Sequence, residues 1–149
     1  MIRKATAADF PDVFRLFYEA WEENPGMDWP APEPVCVAQM VEASLLSPQV
    51  IILIHACEDG SVDGILYGYV QQFVWAKELQ AVLVLLRVSE DASSSVADGL
   101  TEGFHAIVDP LGVREVSFTM SSGIEEGLFV RRMRKHGYVR IGVDLRRKV

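Results

Sequence analysis

A chain of 149 residues, half of them hydrophobic and 23% charged, is long enough for one domain with a real core and too short for two comfortable ones. The net charge of −7 is unevenly spread: residues 1–130 hold 6 Lys+Arg against 20 Asp+Glu and carry −14, while residues 131–149 hold 8 against one acid and carry +7. An acidic body excludes general nucleic-acid binding, which needs a broad cationic surface.

The basic end suits phosphates, an acidic protein partner or a second copy of the chain; the plainer alternative is a solvated face that balances the body. Met1-Ile2-Arg3-Lys4 leads into a mixed segment with Asp9 and Asp12 rather than an apolar signal core. The longest apolar runs, Val50–Ile54 and Ala81–Leu86, are too short to span a bilayer. The expectation is a cytoplasmic protein, or one packed inside a virion, with no membrane partner. Cys36 and Cys57 read as free thiols with neither a disulfide framework nor a metal site.

Ile2–Ala5 is a short strand. Thr6, with Asp9 three residues on, opens a helix over residues 7–23, where Phe10, Val13, Phe14, Phe17, Tyr18 and Trp21 recur at helical spacing. Asn24–Pro34 is a loop stiffened by Pro30, Pro32 and Pro34, and a second helix covers 35–46. After Ser47-Pro48 the period changes. Val50–Cys57 is a strand, Glu58-Asp59-Gly60-Ser61 a hairpin turn, and Ile65–Trp75 the return strand, with Tyr67, Tyr69, Phe73 and Trp75 on one face. A turn at Ala76-Lys77 leads to a third antiparallel strand, Leu79–Val88. The polar Ser89–Ser95 stretch feeds a helix striped with Val96, Leu100, Phe104, Ile107 and Leu111 and ended by Pro110 and Gly112. Arg114–Met120 alternates as a strand. Ser122 and Glu125 form a capping box that opens a helix over 124–136, Gly137 closes it, and Tyr138–Arg147 is the last strand.

The order is strand, two helices, three strands, helix, strand, helix, strand. Together with Ile2-Arg3-Lys4-Ala5-Thr6-Ala7-Ala8-Asp9, Gly112-Val113-Arg114-Glu115-Val116-Ser117-Phe118 and Lys135-His136-Gly137-Tyr138-Val139-Arg140-Ile141-Gly142, it resembles the GNAT superfamily of acyl-CoA-dependent N-acyltransferases along the whole chain. The resemblance implies one α/β domain over residues 1–149: a mixed, mostly antiparallel six-stranded sheet with four helices on its two faces. It also implies acetyl-CoA or another acyl-CoA as cofactor, and a primary amine, on a small molecule or a protein, as acceptor.

In that family the loop after the fourth strand usually reads Arg/Gln-x-x-Gly-x-Gly/Ala, so that backbone N–H groups at a helix start meet the pyrophosphate. The matching stretch here runs from Val88 to Leu100. It lacks the basic residue expected near Ser93 and the glycine expected near Val96, and it carries Glu90, Asp91 and Asp98. In one reading Ser93, Ser94 and Ser95 hold a phosphate, with Leu86 and Val88 of the fourth strand beside the cofactor. In the other the serines only cap the helix. Arg131 and Arg132, followed by Arg134 and Lys135, are placed to reach the CoA phosphates from the flanking helix or to dock an acidic surface.

The tyrosine that often protonates the leaving thiolate would fall at Met133, which cannot transfer a proton; Tyr138 is expected to begin the last strand and pack in the core. Candidates for a general base are Glu78, beside Gln80 at the start of the fourth strand, and Glu115 on the fifth. His55, His105 and His136 read as packed or solvated, His55 being noted because it could titrate near neutrality. The Trp29–Pro34 loop, with Trp21, Trp75 and the acids Glu22, Glu23, Asp28 and Glu33, either walls a cleft for a cationic amine or is ordinary helix-end charge and core tryptophan. Two functions stay open: acyl transfer from acyl-CoA to an amine, or a catalytically silent GNAT-fold binding or structural protein, such as a virion component or a regulatory partner.

Overall fold

The computed structural model describes residues 1–24, 29–118 and 126–142. Strand β1 (Ile2–Lys4) passes through a short 3-10 turn, Ala7–Asp9, into helix α1 (Phe10–Glu22). Helix α2 (Pro34–Leu46) follows, then strands β2 (Val50–Ala56), β3 (Val62–Gln72) and β4 (Leu79–Val88). Helix α3 (Ser94–Val108) ends in a 3-10 turn, Asp109–Leu111, and leads to β5 (Glu115–Phe118) and α4 (Glu126–Lys135).

The strands lie in chain order in one sheet: β1 to β4 pair antiparallel, and β5 joins β4 in parallel. Because side chains alternate along a strand, the sheet splits the apolar residues into two cores. Ile51, Leu53, Leu66, Val70, Ala81 and Leu83 meet Val96, Leu100, Phe104 and Val108 of α3. On the other face Ile52, Ile54 and Ile65 meet Val13 and Leu16 of α1 and Val37 and Val41 of α2. Helix α3 lies close to the sheet because β3 offers it glycine. A Cβ on Gly68 would stand 2.7 Å from both Phe104 Cε2 and the carbonyl oxygen of Val82.

Among the described residues, two bulges break the alternation. Tyr67 pairs Leu85 while Gly68 pairs Leu83, so Val84 is an extra residue on β4. As a result Leu83 and Leu86, three residues apart, both face α3, while Leu85 faces the α1–α2 core. Likewise His55 pairs Gly64 and Ala56 pairs Val62, leaving Asp63 as the extra residue on β3.

At the chain entry, Asp9 closes the capping box that Thr6 announces in the sequence. Its carboxylate takes two 2.8 Å bonds from the Arg3 guanidinium and 2.7 Å bonds from the Thr6 N–H and hydroxyl. The Arg3 guanidinium first, with help from Thr6, holds this carboxyl well below the usual carboxylate range against the opposing effect of burial.

Several expectations change in detail. Among the described residues the sheet has five strands, not six. Residues 138–142 of the expected last strand are not in a strand, and the rest of it lies outside the described residues, as do Asp28 and the Ser122–Glu125 capping box. Strand β3 starts and ends three residues earlier than Ile65–Trp75, so Phe73 and Trp75 pack against each other, tilted by 45°, at the hairpin tip, where Trp75 is 83% exposed and no core residue. The stretch Ala7–Asp9 is 3-10 rather than α-helical, and Leu111 belongs to the 3-10 turn after α3. Gly137, at φ +87°, ends α4 as expected, with the Tyr138 N–H bonded to the Met133 carbonyl.

Candidate active site

Strand β4 outruns its parallel partner. The described register with β5 ends at Leu83↔Phe118, yet β4 continues to Val88, so beyond the Val84 bulge this edge of β4 has no strand beside it among the described residues. Backbone N–H and C=O groups along such an edge are strong, obligatory hydrogen-bonding groups, and no strand pairs with them among the described residues. Leu86 and Val88 turn their side chains toward the α3 core, so what they can offer a ligand here is backbone.

The β4 edge leads to the start of α3. Ser93 is the N-cap: its hydroxyl accepts from the Ser95 N–H at 3.3 Å and lies 2.9 Å from the Ser95 hydroxyl, and its carbonyl accepts from the Val96 N–H. Ser93, Ser94 and Ser95 are exposed, so the first turn of α3 opens to solvent with a polar surface and the positive end of the helix dipole. Glu90 and Asp91 are exposed beside it. Asp98 is different. Its carboxylate accepts from His136 Nε2 at 3.0 Å and stands 3.9 Å from Arg132 Nε, and the His136 bond leads in holding its pKa down. One of the three acids that the sequence sets against a diphosphate is thus paired with Arg132 on α4 and hydrogen-bonded to His136 just after it.

Of the two cofactor-side arginines, Arg132 is the one brought against α3 through Asp98. Arg131 is exposed and its Nε bonds the Gly127 carbonyl of its own helix. Met133 is buried. Tyr138 is half-buried rather than part of a strand; its hydroxyl lies 2.8 Å from His105 Nε2 and the two rings stack. Burial pushes the Tyr138 phenol up to about 12 and lowers the His105 pKa.

Glu78 and Glu115 lie at the other end of the sheet. Glu78 stands 3.7 Å from Arg114 and lines, with Lys77, Leu111 and Gly112, a concavity of about 530 Å³. Glu115 is exposed and registers with Gln80. Six residues of strand at about 3.3 Å each separate Glu78 from Val84, roughly 20 Å. On the α1–α2 face, Glu22 and Glu33 are exposed, and the Trp21 indole N–H donates to the Trp29 carbonyl at 2.8 Å.

Two features escape the sequence reading. The Val84 bulge has no glycine to mark it. After it, Arg87 is turned toward α1, where its guanidinium meets Glu23 at 2.6 Å and Glu19 at 3.7 Å and also donates to the Val88 carbonyl. The period-2 pattern would have shown Arg87 as an interruption of an apolar run, which is the only signal available.

No protein-family model matches the chain, and no curated protein matches it in sequence. Solved structures do. An aminoglycoside acetyltransferase from an uncultured soil metagenomic sample, in complex with sisomicin, superimposes at TM-score 0.74 with 16% identity, covering 100% of this chain and 95% of that one. A second aminoglycoside acetyltransferase from such a sample gives 0.75 at 16% identity, covering 100% and 97%. A transcriptional regulator from Bacillus halodurans gives 0.78 at 14%, covering 100% and 99%. Similarity at this level establishes architecture, and the architecture of this chain is GNAT-like.

Proposed function

We propose that the protein is an acyl-CoA-dependent N-acyltransferase that passes an acyl group to a primary amine. The observation that carries this reading is the edge of β4 beyond the Leu83↔Phe118 pair, which has no strand beside it among the described residues and runs from the Val84 bulge to the N-terminus of α3. An extended amide-bearing chain fits such an edge by backbone hydrogen bonds, and an anion fits the helix start. The residues that would hold the cofactor are the backbone of Val84–Val88, the Ser93–Ser95 turn and Arg132; acyl-CoA would supply the activated thioester.

The chain's own part is then positioning. Direct transfer needs the amine and the thioester held in reach and aligned more than it needs a dedicated acid or base. That weighs here because Met133 occupies the place of the expected acid and Glu78 lies roughly 20 Å from the bulge. The sisomicin complex of a protein of the same fold supports a cationic amine as acceptor, and exposed Glu22 and Glu33 suit one.

Binding is the decisive test. A ligand that binds only the folded chain at ten times its Kd stabilises it by about 1.4 kcal/mol, which raises the Tm of a chain this long by about 3–6 °C. Acetyl-CoA and longer acyl-CoAs are expected to do so at millimolar concentration, with free CoA released when polyamines or aminoglycosides are added. Absence of any shift across the acyl-CoA series would leave a silent GNAT-fold binding or structural protein as the better account.

A further inference from the structure

At the far end of the β2–β3 hairpin, three chemically different donors converge: the His55 imidazole, the Cys57 sulfur and the Asp63 carboxylate, with ligand atoms all within 4.8 Å of one another. The sequence alone gives no reason to join them, since Asp63 lies across the hairpin turn. The bulge does it. By inserting Asp63 as an unpaired residue opposite the His55–Ala56 step, the register brings its carboxylate to 2.6 Å from His55 Nδ1. Cys57 is fixed just beyond the strand by its N–H bond to the Ser61 carbonyl at 2.8 Å.

We propose that His55, Cys57 and Asp63 form a binding site for a divalent transition metal of borderline softness, with zinc as the best match. One sulfur, one nitrogen and one oxygen donor suit zinc, and discriminate against calcium and magnesium, which take oxygen ligands. The geometry needs little adjustment. Tetrahedral zinc at about 2.0–2.3 Å from its ligands sets donor–donor edges of about 3.3–3.6 Å. The His55–Asp63 pair therefore opens by about 0.8 Å, and no pair has to close by more than about 1.3 Å. Three protein ligands leave the fourth position to water. The three residues are half-buried, with 24% of the His55 and 22% of the Asp63 side chain exposed, so a metal can enter from solvent.

Binding converts the Cys57 thiol to thiolate and releases its proton to solvent, so affinity falls as pH falls. The site also touches the loop that leads into α3: the Asp63 carbonyl accepts the Ser89 N–H at 2.7 Å. A metal held here braces the hairpin end against the start of that loop. This proposal does not depend on acyl transfer.

The experiment uses tag-free full-length chain, stripped with a chelator and titrated with Co²⁺ and Zn²⁺. The expected result is one metal per chain, a thiolate-to-cobalt charge-transfer absorption that Zn²⁺ bleaches, and a rise in Tm with Zn²⁺. Cys57→Ser and His55→Ala are expected to weaken binding by more than about 100-fold, since loss of an outer-shell partner alone costs about 10–100-fold. Cys36→Ser, at an exposed cysteine on α2, leaves it intact. Far-ultraviolet circular dichroism in the absence of metal checks that each variant folds, and the wild-type cobalt spectrum reads the thiolate ligand without any variant. The proposal is overturned if the wild-type chain retains no stoichiometric metal, if cobalt shows no thiolate band, or if the band survives Cys57→Ser and disappears in Cys36→Ser.

Discussion

Asp9→Asn is the sharpest test of how the chain entry is held. The carboxylate receives four hydrogen bonds, two of them from Arg3, and its side chain is 11% exposed against 34% for Arg3. Breaking a fully buried ion pair costs about 3–5 kcal/mol, but solvent reaches the Arg3 side and screens the pair. Hydrogen bonds to a charged group are worth about 1.5–3 kcal/mol, so the expected loss at neutral pH is about 2 kcal/mol, or about 4–8 °C in Tm.

The pH dependence has a definite sign. The folded pKa of Asp9 lies below its unfolded value near 3.9, so the stabilisation is fully present above that value and is lost as pH falls toward the folded one. Urea denaturation of both proteins at pH 7 and near pH 2 is expected to show the difference shrink to roughly half or less. An equal deficit at both pH values would show that the asparagine acts by packing and not by charge. A neutral-pH loss under about 0.5 kcal/mol would remove the ion pair as a support of β1 and α1.

Gly68→Ala puts a methyl group 2.7 Å from a backbone carbonyl oxygen as well as from Phe104, and a backbone atom cannot swing away. Thermal denaturation is expected to show a loss of about 1–3 kcal/mol, and an unchanged Tm would mean that α3 does not pack on β3 as closely as described. For the cofactor, Arg132→Ala is expected to weaken acetyl-CoA by about 1 kcal/mol, roughly fivefold in Kd, as for a solvent-screened charge contact. Arg131→Ala, at a side chain bonded to its own helix, should stay within about twofold. Isothermal titration of the two variants decides it, and equal effects would mean that only net charge matters.

How legible the molecule was in its sequence varies with the kind of signal. Leu79–Val88 is legible with its observed bounds, because a long β-branched and apolar run between a turn and a polar loop admits little else. The same logic misplaced β3 by three residues at each end. Asp63 interrupts the alternation at the true start as a bulge, and the aromatic Phe73 and Trp75 extend it past the true end, where they pack against each other instead of on the core. The helix order was legible because each stripe is long.

The sites were not legible in the same way. Val84 is a bulge without glycine, and a bulge is a property of two strands in register, which one segment does not encode. His55 and Asp63 are eight residues apart and meet only because that register slips by one. Asp98 reads as an obstacle to phosphate because its partners, Arg132 on α4 and His136 in the turn after it, are more than thirty residues away.

That pairing alters the electrostatic argument about the cofactor end. With the Asp98 carboxylate engaged by Arg132 and His136, the acids that oppose a diphosphate most directly are Glu90 and Asp91, both exposed. Two exposed charges about 8 Å from an anion cost only about 0.5 kcal/mol each in water, and salt at 0.15 M screens over about that distance. Hydrogen bonds from the edge of β4 depend on salt less than the repulsion of these two exposed charges does. If the β4 edge does the holding, removing both acids should therefore help modestly. Glu90→Gln with Asp91→Asn is expected to tighten acetyl-CoA by about fivefold at low ionic strength, a gain of about 1 kcal/mol. The gain should fade as salt rises to several tenths molar. A gain that persists at high salt would mean the substitutions remodel the loop, and no gain at low salt would place the diphosphate away from the start of α3.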